Sequence, residues 1–424
     1  MIVMIQQLPV VPGVRLHAMQ TDKFKTGCFS VNFRRPHSKK DAALDALLPS
    51  VLLRGTERHP DIRSISMRLD ELYGATFGTL VRLKGEVKLT GFYADFIEDD
   101  FLPEGETVFA PMLDFLEEVL YHPCLQDGCF PESSVEGEKQ NLINAIEASL
   151  NDKRTYASLR LRSLMCEGEA YGVPRLGCAE DVRQITPERL YRHYREVLAG
   201  SQVEIFYAGR RSPEEAAAQF RRVFAGREPE RAVPVSTTVH PAAAQVREIS
   251  EEMDVTQGKL AIGLHTGILG TDADYPALLL LNAVYGSSMT SKLFVNVREK
   301  LSLCYYASSA IEKNKGIMLI SSGIDFAQYE TAKNAILGEL DACRRGEISE
   351  EELESARLAV LSALRAALDA PARLDDYYIG NAVAGGCTIE ELLERVAALK
   401  KEDLVRAAQR ITTDTVYFLK GVGA

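Results

Sequence analysis

Arg298, Glu299 and Tyr305 are the residues of this chain whose types and spacing come nearest to a working site. They fall in GSSMTSKLFVNVREKLSLCY, residues 286–305. A glycine–serine turn leads there into a helical pattern ending at Arg298-Glu299-Lys300, and Tyr305 lies on the strand that follows. Arginine presents a planar fork of N–H donors, and tyrosine a hydroxyl on a rigid ring. Side by side at a peptide bond, the two would hold a substrate carbonyl and stabilise the oxyanion formed on hydrolysis. The second site-shaped stretch is DAALDALLPSVLLRGT, residues 41–56. Ala46, Pro49 and Ser50 stand there at helical offsets of zero, three and four, where side chains converge. His, Glu or Asp at those offsets would hold a metal or do acid–base chemistry. A methyl, a pyrrolidine ring and a hydroxymethyl do neither.

The elements that position these residues follow from periodicity. Leu44, Leu47, Leu48, Val51 and Leu52 form a stripe that docks the helix of 41–56 into a core. A strand at 26–35 precedes it. After it come a helix at 62–72, a hairpin of 76–83 with 87–93 across Lys84-Gly85, and helices at 107–120, 132–150, 154–166 and 187–197. A strand at 203–208 (VEIFYA) closes this half, trailed by a helix at 212–224. Residues 225–245, with Pro229, Pro234, Pro241 and a Ser-Thr-Thr run, read as a surface linker. The same order then recurs: strand 259–265, helices 275–285 and 291–299, and a hairpin of 303–311 with 317–323. Helices follow at 329–345, 349–368, 374–383, 388–399 and 401–410, then a closing strand at 416–419 (VYFL). Two local matches support the repeat. PESSVE at 131–136 is similar to SEEELE at 349–354, and residues 185–209 are similar to 399–421. The expected fold class is therefore α+β: two tandem homologous domains, each a largely antiparallel sheet with helices packed on it. The boundaries expected are 1–225, a linker at 226–245, and 246–424.

Composition narrows the function. A chain of 424 residues is too long for one ordinary core, and 46% apolar with 26% charged residues marks a folded globular protein. A net charge of −11 argues against nucleic acid as the main partner. No apolar run is long enough to span a membrane, and the first residues lack the basic region and cleavage site of a secretory signal. Eight cysteines without a CxxC read as free thiols of a reducing cytoplasm, so a cytoplasmic protein is expected. Seven histidines include no pair at helical metal-binding spacing, and no cofactor is expected.

The segment 291–305 resembles the pitrilysin/insulinase-like zinc metallopeptidases and mitochondrial processing peptidases, whose second domain carries a pattern close to S-x-L-[FW]…R-E-x-x-G-L-[AC]-Y. Ser291, Leu293, Phe294, Arg298, Glu299, Leu303, Cys304 and Tyr305 fit it, and Ser302 stands at the family's glycine. The resemblance covers nearly the whole chain, including the tandem halves and the linker. The family's first half carries an inverted zinc motif, H-x-x-E-H, before an ending that Leu52-Leu53-Arg54-Gly55-Thr56 matches. Counting back puts that motif on Ala46, Leu47, Leu48, Pro49 and Ser50, so both histidines and the catalytic glutamate are gone. The further glutamate ligand falls on Ala145, with the upstream acidic position kept as Glu138. The resemblance thus implies an inactive homologue that binds no catalytic zinc, with no catalytic residue of its own.

What it implies about function is a silent subunit of a heterodimeric peptidase. A homologous chain bearing the zinc motif would supply the metal, and this chain Arg298, Tyr305 and part of the wall of a chamber around a peptide. It would be active only with that partner, and a homodimer is allowed when it is isolated. Its acidity would weakly favour basic substrate segments. The alternative is a non-enzymatic peptide-binding or scaffold protein of the same fold, within reach of the subfamily associated with elongation factor P modification. A hydrolase built on unrelated residues has no support: no GxSxG, HExxH or Cys/His arrangement occurs.

Overall fold

An N-terminal hairpin opens the fold: β1 (Ile5–Val11) pairs antiparallel with β2 (Val14–Gln20). The sequence pattern did not announce it, because Gln6, Gln7 and Pro9 break the apolar alternation. Pro9 is tolerated because β1 is the edge of its sheet, where a missing N–H breaks no ladder. The computed structural model describes residues 5–227 and 235–423. Of the expected linker, Pro229 and Pro234 lie outside the described residues, and 235–246 form no regular element.

The first half continues as expected through β3 (Thr26–Pro36), α1 (Ala42–Leu52), α2 (Ile62–Glu71), β4 (Thr76–Lys84) and β5 (Val87–Ile97). Then come α3 (Phe109–Tyr121), α4 (Glu132–Asn151), α5 (Lys153–Met165), α6 (Ala179–Arg183), α7 (Pro187–Gly200), β6 (Gln202–Gly209) and α8 (Pro213–Val223). The second half begins with an unexpected strand, β7 (Arg247–Met253), whose acidic sequence REISEEM gives no strand signal. It goes on through β8 (Gly258–His265), α9 (Tyr275–Asn282), β9 (Cys304–Glu312) and β10 (Ile317–Ile324). Helices α10 (Tyr329–Arg344), α11 (Glu350–Ala367), α12 (Pro371–Ala384), α13 (Ile389–Ala398) and α14 (Lys401–Arg410) precede the closing β11 (Thr412–Gly421).

The six strands of the first sheet run β1-β2-β6-β3-β5-β4, and the five of the second β7-β11-β8-β10-β9. Apart from β1, the second order repeats the first position for position, so the two halves are copies of one architecture. Both sheets are antiparallel except where β2 meets β6 and β7 meets β11 in parallel.

Two units divide the chain. One takes Met1–Glu147, Val173–Ser236 and Ala370–Val383, the other Ala148–Gly172, Thr237–Asp369 and Ala384–Ala424. Each is thus discontinuous in sequence, where the repeat suggests continuous segments. In the first unit the α1 leucine stripe docks as expected, with Leu44, Leu47, Leu48, Val51 and Leu52 each 1–4% exposed. They join Phe29, Phe92, Phe96, Phe109 and Phe115 in one core. The opposite face of this sheet is closed by α12: Ser30 donates to Asp375 at 2.5 Å, Arg82 pairs with the same carboxylate, and Lys84 meets Asp376 at 2.8 Å. In the second unit α5 takes the corresponding place. Ala157 and Leu161 pack with Ala261, Tyr417 and Leu419, and Met165 fills the space above Gly263 that a side chain there would need. Strands covered on both faces bury nearly every residue, as β3 does from Gly27 to Phe33.

Candidate functional site

Helix α1 carries the metal-motif positions and closes them. Ala46 and Pro49 are buried and Ser50 half-buried, while Ala145 is exposed on α4. The helix runs through Pro49 to Leu52, leaving the Asp45 carbonyl without an i+4 N–H to accept from. Beyond it, Arg54 donates from Nε to Oε1 of Glu138 at 2.5 Å, so the one acidic group kept from the expected ligand run is held by a cation. Zinc requires imidazole, thiolate or carboxylate donors at about 2 Å. Methyl, proline and hydroxymethyl groups beside an engaged Glu138 do not fit it. Among the described residues no three His, Cys, Asp or Glu side chains are grouped to hold a metal ion.

Sequence reasoning passed over one charged residue on this helix. Asp45 is 1% exposed and accepts a hydrogen bond from His193 of α7 at 2.8 Å, with Arg35 of β3 at 3.7 Å. Lys88, also buried, donates to the Arg175 carbonyl nearby, and burial lowers its pKa to about 8. The available signal was an acid inside an apolar helical run, but its histidine partner lies 148 positions away.

Arg298 belongs to a π-helical segment, Leu293–Lys300, rather than to the α-helix the pattern suggests. Ser291 and Leu293 of the motif are structural: both are fully buried, and the Ser291 hydroxyl accepts the Phe294 N–H at 3.4 Å. The Arg298 guanidinium lies 4.5 Å from the Phe294 ring centroid, with Glu299 at 3.5 Å, and the side chain is partly exposed. Ser302 turns the chain towards β9 with φ of +51°, the left-handed conformation that explains the family's glycine at this place.

Tyr305 stands on β9, 61% exposed, and donates its hydroxyl proton to Asp325 at 3.1 Å. That hydrogen bond and the carboxylate's charge raise its pKa. The π-segment packs on β9, so Arg298 and Tyr305 sit on neighbouring elements of the second unit, yet each side chain has its own partners. No local pattern singles out Asp325 or places Phe294 under the guanidinium, since both contacts depend on the folded chain. No described helix is long and apolar enough to cross a membrane.

Comparisons with known proteins fit this geometry. Residues 184–360 match the family described as "Peptidase M16 inactive domain". Over 411 residues, 96% of each chain, the sequence is 34% identical to the "probable inactive metalloprotease YmfF" of Bacillus subtilis (strain 168). A solved structure of a conserved protein from Enterococcus faecalis V583 superposes with a TM-score of 0.90 at 31% identity, over 98% of both chains. A peptidase M16 inactive domain from Pseudomonas fluorescens shares the fold, with a TM-score of 0.79 at 18% identity over 98% of both chains. With identity of that extent along nearly its whole length, the chain belongs to the pitrilysin/insulinase-like (M16) metallopeptidase family, as one of its inactive homologues.

Proposed function

We propose that this chain is the non-catalytic subunit of a two-chain insulinase-like peptidase. A homologous partner bearing the zinc motif carries out hydrolysis, and this chain contributes Arg298, Tyr305 and part of the chamber wall that confines the peptide. The observation that supports the reading is an asymmetry of loss. Every position that would bind the metal or act as base is a non-ligand, while Arg298 and Tyr305 persist with accessible polar groups, which packing alone does not require.

The test is co-expression with a zinc-motif homologue encoded nearby, followed by a peptide-cleavage assay of the purified complex. Arg298→Ala should lower kcat/KM by roughly tenfold to a hundredfold, the scale of one or two charge-assisted hydrogen bonds. Unchanged cleavage by both Arg298→Ala and Tyr305→Phe would remove the proposed role. A stable homodimer without peptide affinity would favour a scaffold instead.

A further inference from the structure

Helix α7 in the first unit buries Leu190, His193, Tyr194 and Val197, and the helix repeat then gathers Arg189, Arg192 and Arg195 on its outward face. At about 1.5 Å per residue the three span roughly 9 Å. Among the described residues none of these side chains makes a hydrogen bond or ion pair within the protein. The same holds for Lys39 and Lys40, both exposed just ahead of α1. Arg183, by contrast, meets Glu147 and Glu180 at 3.5 Å. The region thus leaves five cations uncompensated in a chain whose net charge is −11.

Two adjoining grooves join these cations to apolar surface. One, of about 340 Å³, sets Lys39, Lys40 and Arg189 beside Ala43, Leu44 and Ile185. The acid that lines it, Asp181, accepts the Cys178 thiol at 3.0 Å. The other, of about 980 Å³, starts from the same Ile185 and carries Tyr191, Arg192 and Arg195. Helix α4 and the turn before it bring Glu132, Glu136 and Asp127 to this second groove, where Glu136 is held by Lys139 at 2.7 Å. A nucleic-acid backbone would set its phosphates against Glu132 and Asp127 and against the chain's overall negative charge. A free phosphate would use neither Tyr191 nor the apolar floor. A peptide that interleaves carboxylates with apolar side chains uses both, since guanidinium forks match carboxylates in geometry as well as charge.

We propose that this surface docks an acidic segment of a partner protein. Its carboxylates pair with Arg189, Arg192, Arg195, Lys39 and Lys40, and its apolar side chains rest on Leu44, Ile185 and Tyr191. The surface belongs to the first unit and Arg298 and Tyr305 to the second, so the proposal goes beyond the two-chain reading and does not depend on it.

The experiment measures fluorescence anisotropy of a labelled peptide of Leu-Glu-Glu repeats titrated with the full chain. Arg189→Gln, Arg192→Gln and Arg195→Gln should each weaken binding by about threefold, the scale of one exposed ion pair, and the triple variant by more than tenfold. Lys39→Gln combined with Lys40→Gln should weaken it by about fivefold, and rising salt should weaken it throughout. Glu132→Gln removes a repelling charge and should tighten binding by about twofold. Arg345→Gln, a control on the other unit, should change nothing. Serine in place of the peptide's leucines should cost about tenfold, which reads the apolar floor without altering the protein. No saturable binding, or binding that the triple variant keeps, overturns the proposal. It is overturned equally if an oligothymidylate of the same charge binds more tightly than the peptide, because the surface would then recognise phosphate.

Discussion

Ser302 and Lys88 show how single residues carry costs that the rest of the fold sustains. Ser302 adopts φ of +51° in the turn between Arg298 and Tyr305, a conformation costing a side-chain-bearing residue about 1 kcal/mol. Ser302→Gly should therefore raise stability by about 0.5 kcal/mol, after the extra chain entropy of glycine is counted. A rise in urea midpoint checks it. Lys88 is 1% exposed, and burial lowers its pKa from 10.5 to about 8. A depressed folded-state value means that the unfolded chain binds more protons between those limits. Stability from this group is thus fully present above about pH 10.5 and lost as pH falls through 8, a swing on the order of 3 kcal/mol. Lys88→Met should be the more stable protein at pH 7, and the difference between the two urea midpoints should shrink as pH rises from 8 to 10.5. A difference independent of pH would mean that Lys88 does not titrate in that window. The Ser302 departure could be seen in the sequence through the family pattern; its dihedral could not. Lys88 gave no signal, because an alternating strand sequence holds no record that the Arg175 carbonyl, 87 positions away, will lie against it.

At the scale of elements, α1, which stands where the family carries its metal motif, is a packing element. Its leucine stripe is legible because a 3.6-residue period is a local property, and the loss of ligands is legible because residue type is. Asp45 was not, since its partners arrive from β3 and α7. Helix α12 makes the same point about energetics. Asp375 is fully buried, and burial pushes its carboxyl pKa up against the opposing pull of Arg82 and Ser30. Asp375→Ala leaves the Arg82 guanidinium and the Ser30 hydroxyl without their shared acceptor. Removing one partner of a buried pair costs about 3–5 kcal/mol. Arg82 keeps 14% side-chain exposure and Asp376 as a neighbour, so a loss near 3 kcal/mol is expected in urea unfolding.

For the whole molecule, the consequence concerns where a folding unit ends. The first unit includes Ala370–Val383 and the second Ala148–Gly172, so neither half of the sequence holds all of its own unit. A fragment of residues 1–236 lacks α12 and leaves Ser30 and Arg82 without Asp375 on an uncovered sheet face. It should unfold at lower urea than the first unit in the intact chain and bind a hydrophobic dye. Supplying a peptide of residues 370–384 should recover part of the midpoint. A fragment as stable as the intact chain would show that α12 contributes little.

The sequence by itself determined the repeat, nearly all the helices, both hairpins at 76–93 and 303–323, and the absence of zinc ligands from α1 and α4. These are written in periodicity, turn residues and residue type, all of which act within a few positions. It did not determine β1, β2 and β7, whose polar or proline-bearing strands are specified by the neighbours they pair with. Only the tertiary structure decided that α5 and α12 each complete the unit built mainly from the other half, and that Asp45 is paired with His193. It also decided that the Tyr305 hydroxyl meets Asp325. The physical reason is common to all of them: the partner of a hydrogen bond or of a buried charge depends on groups brought together from distant positions, and local pattern holds no record of that.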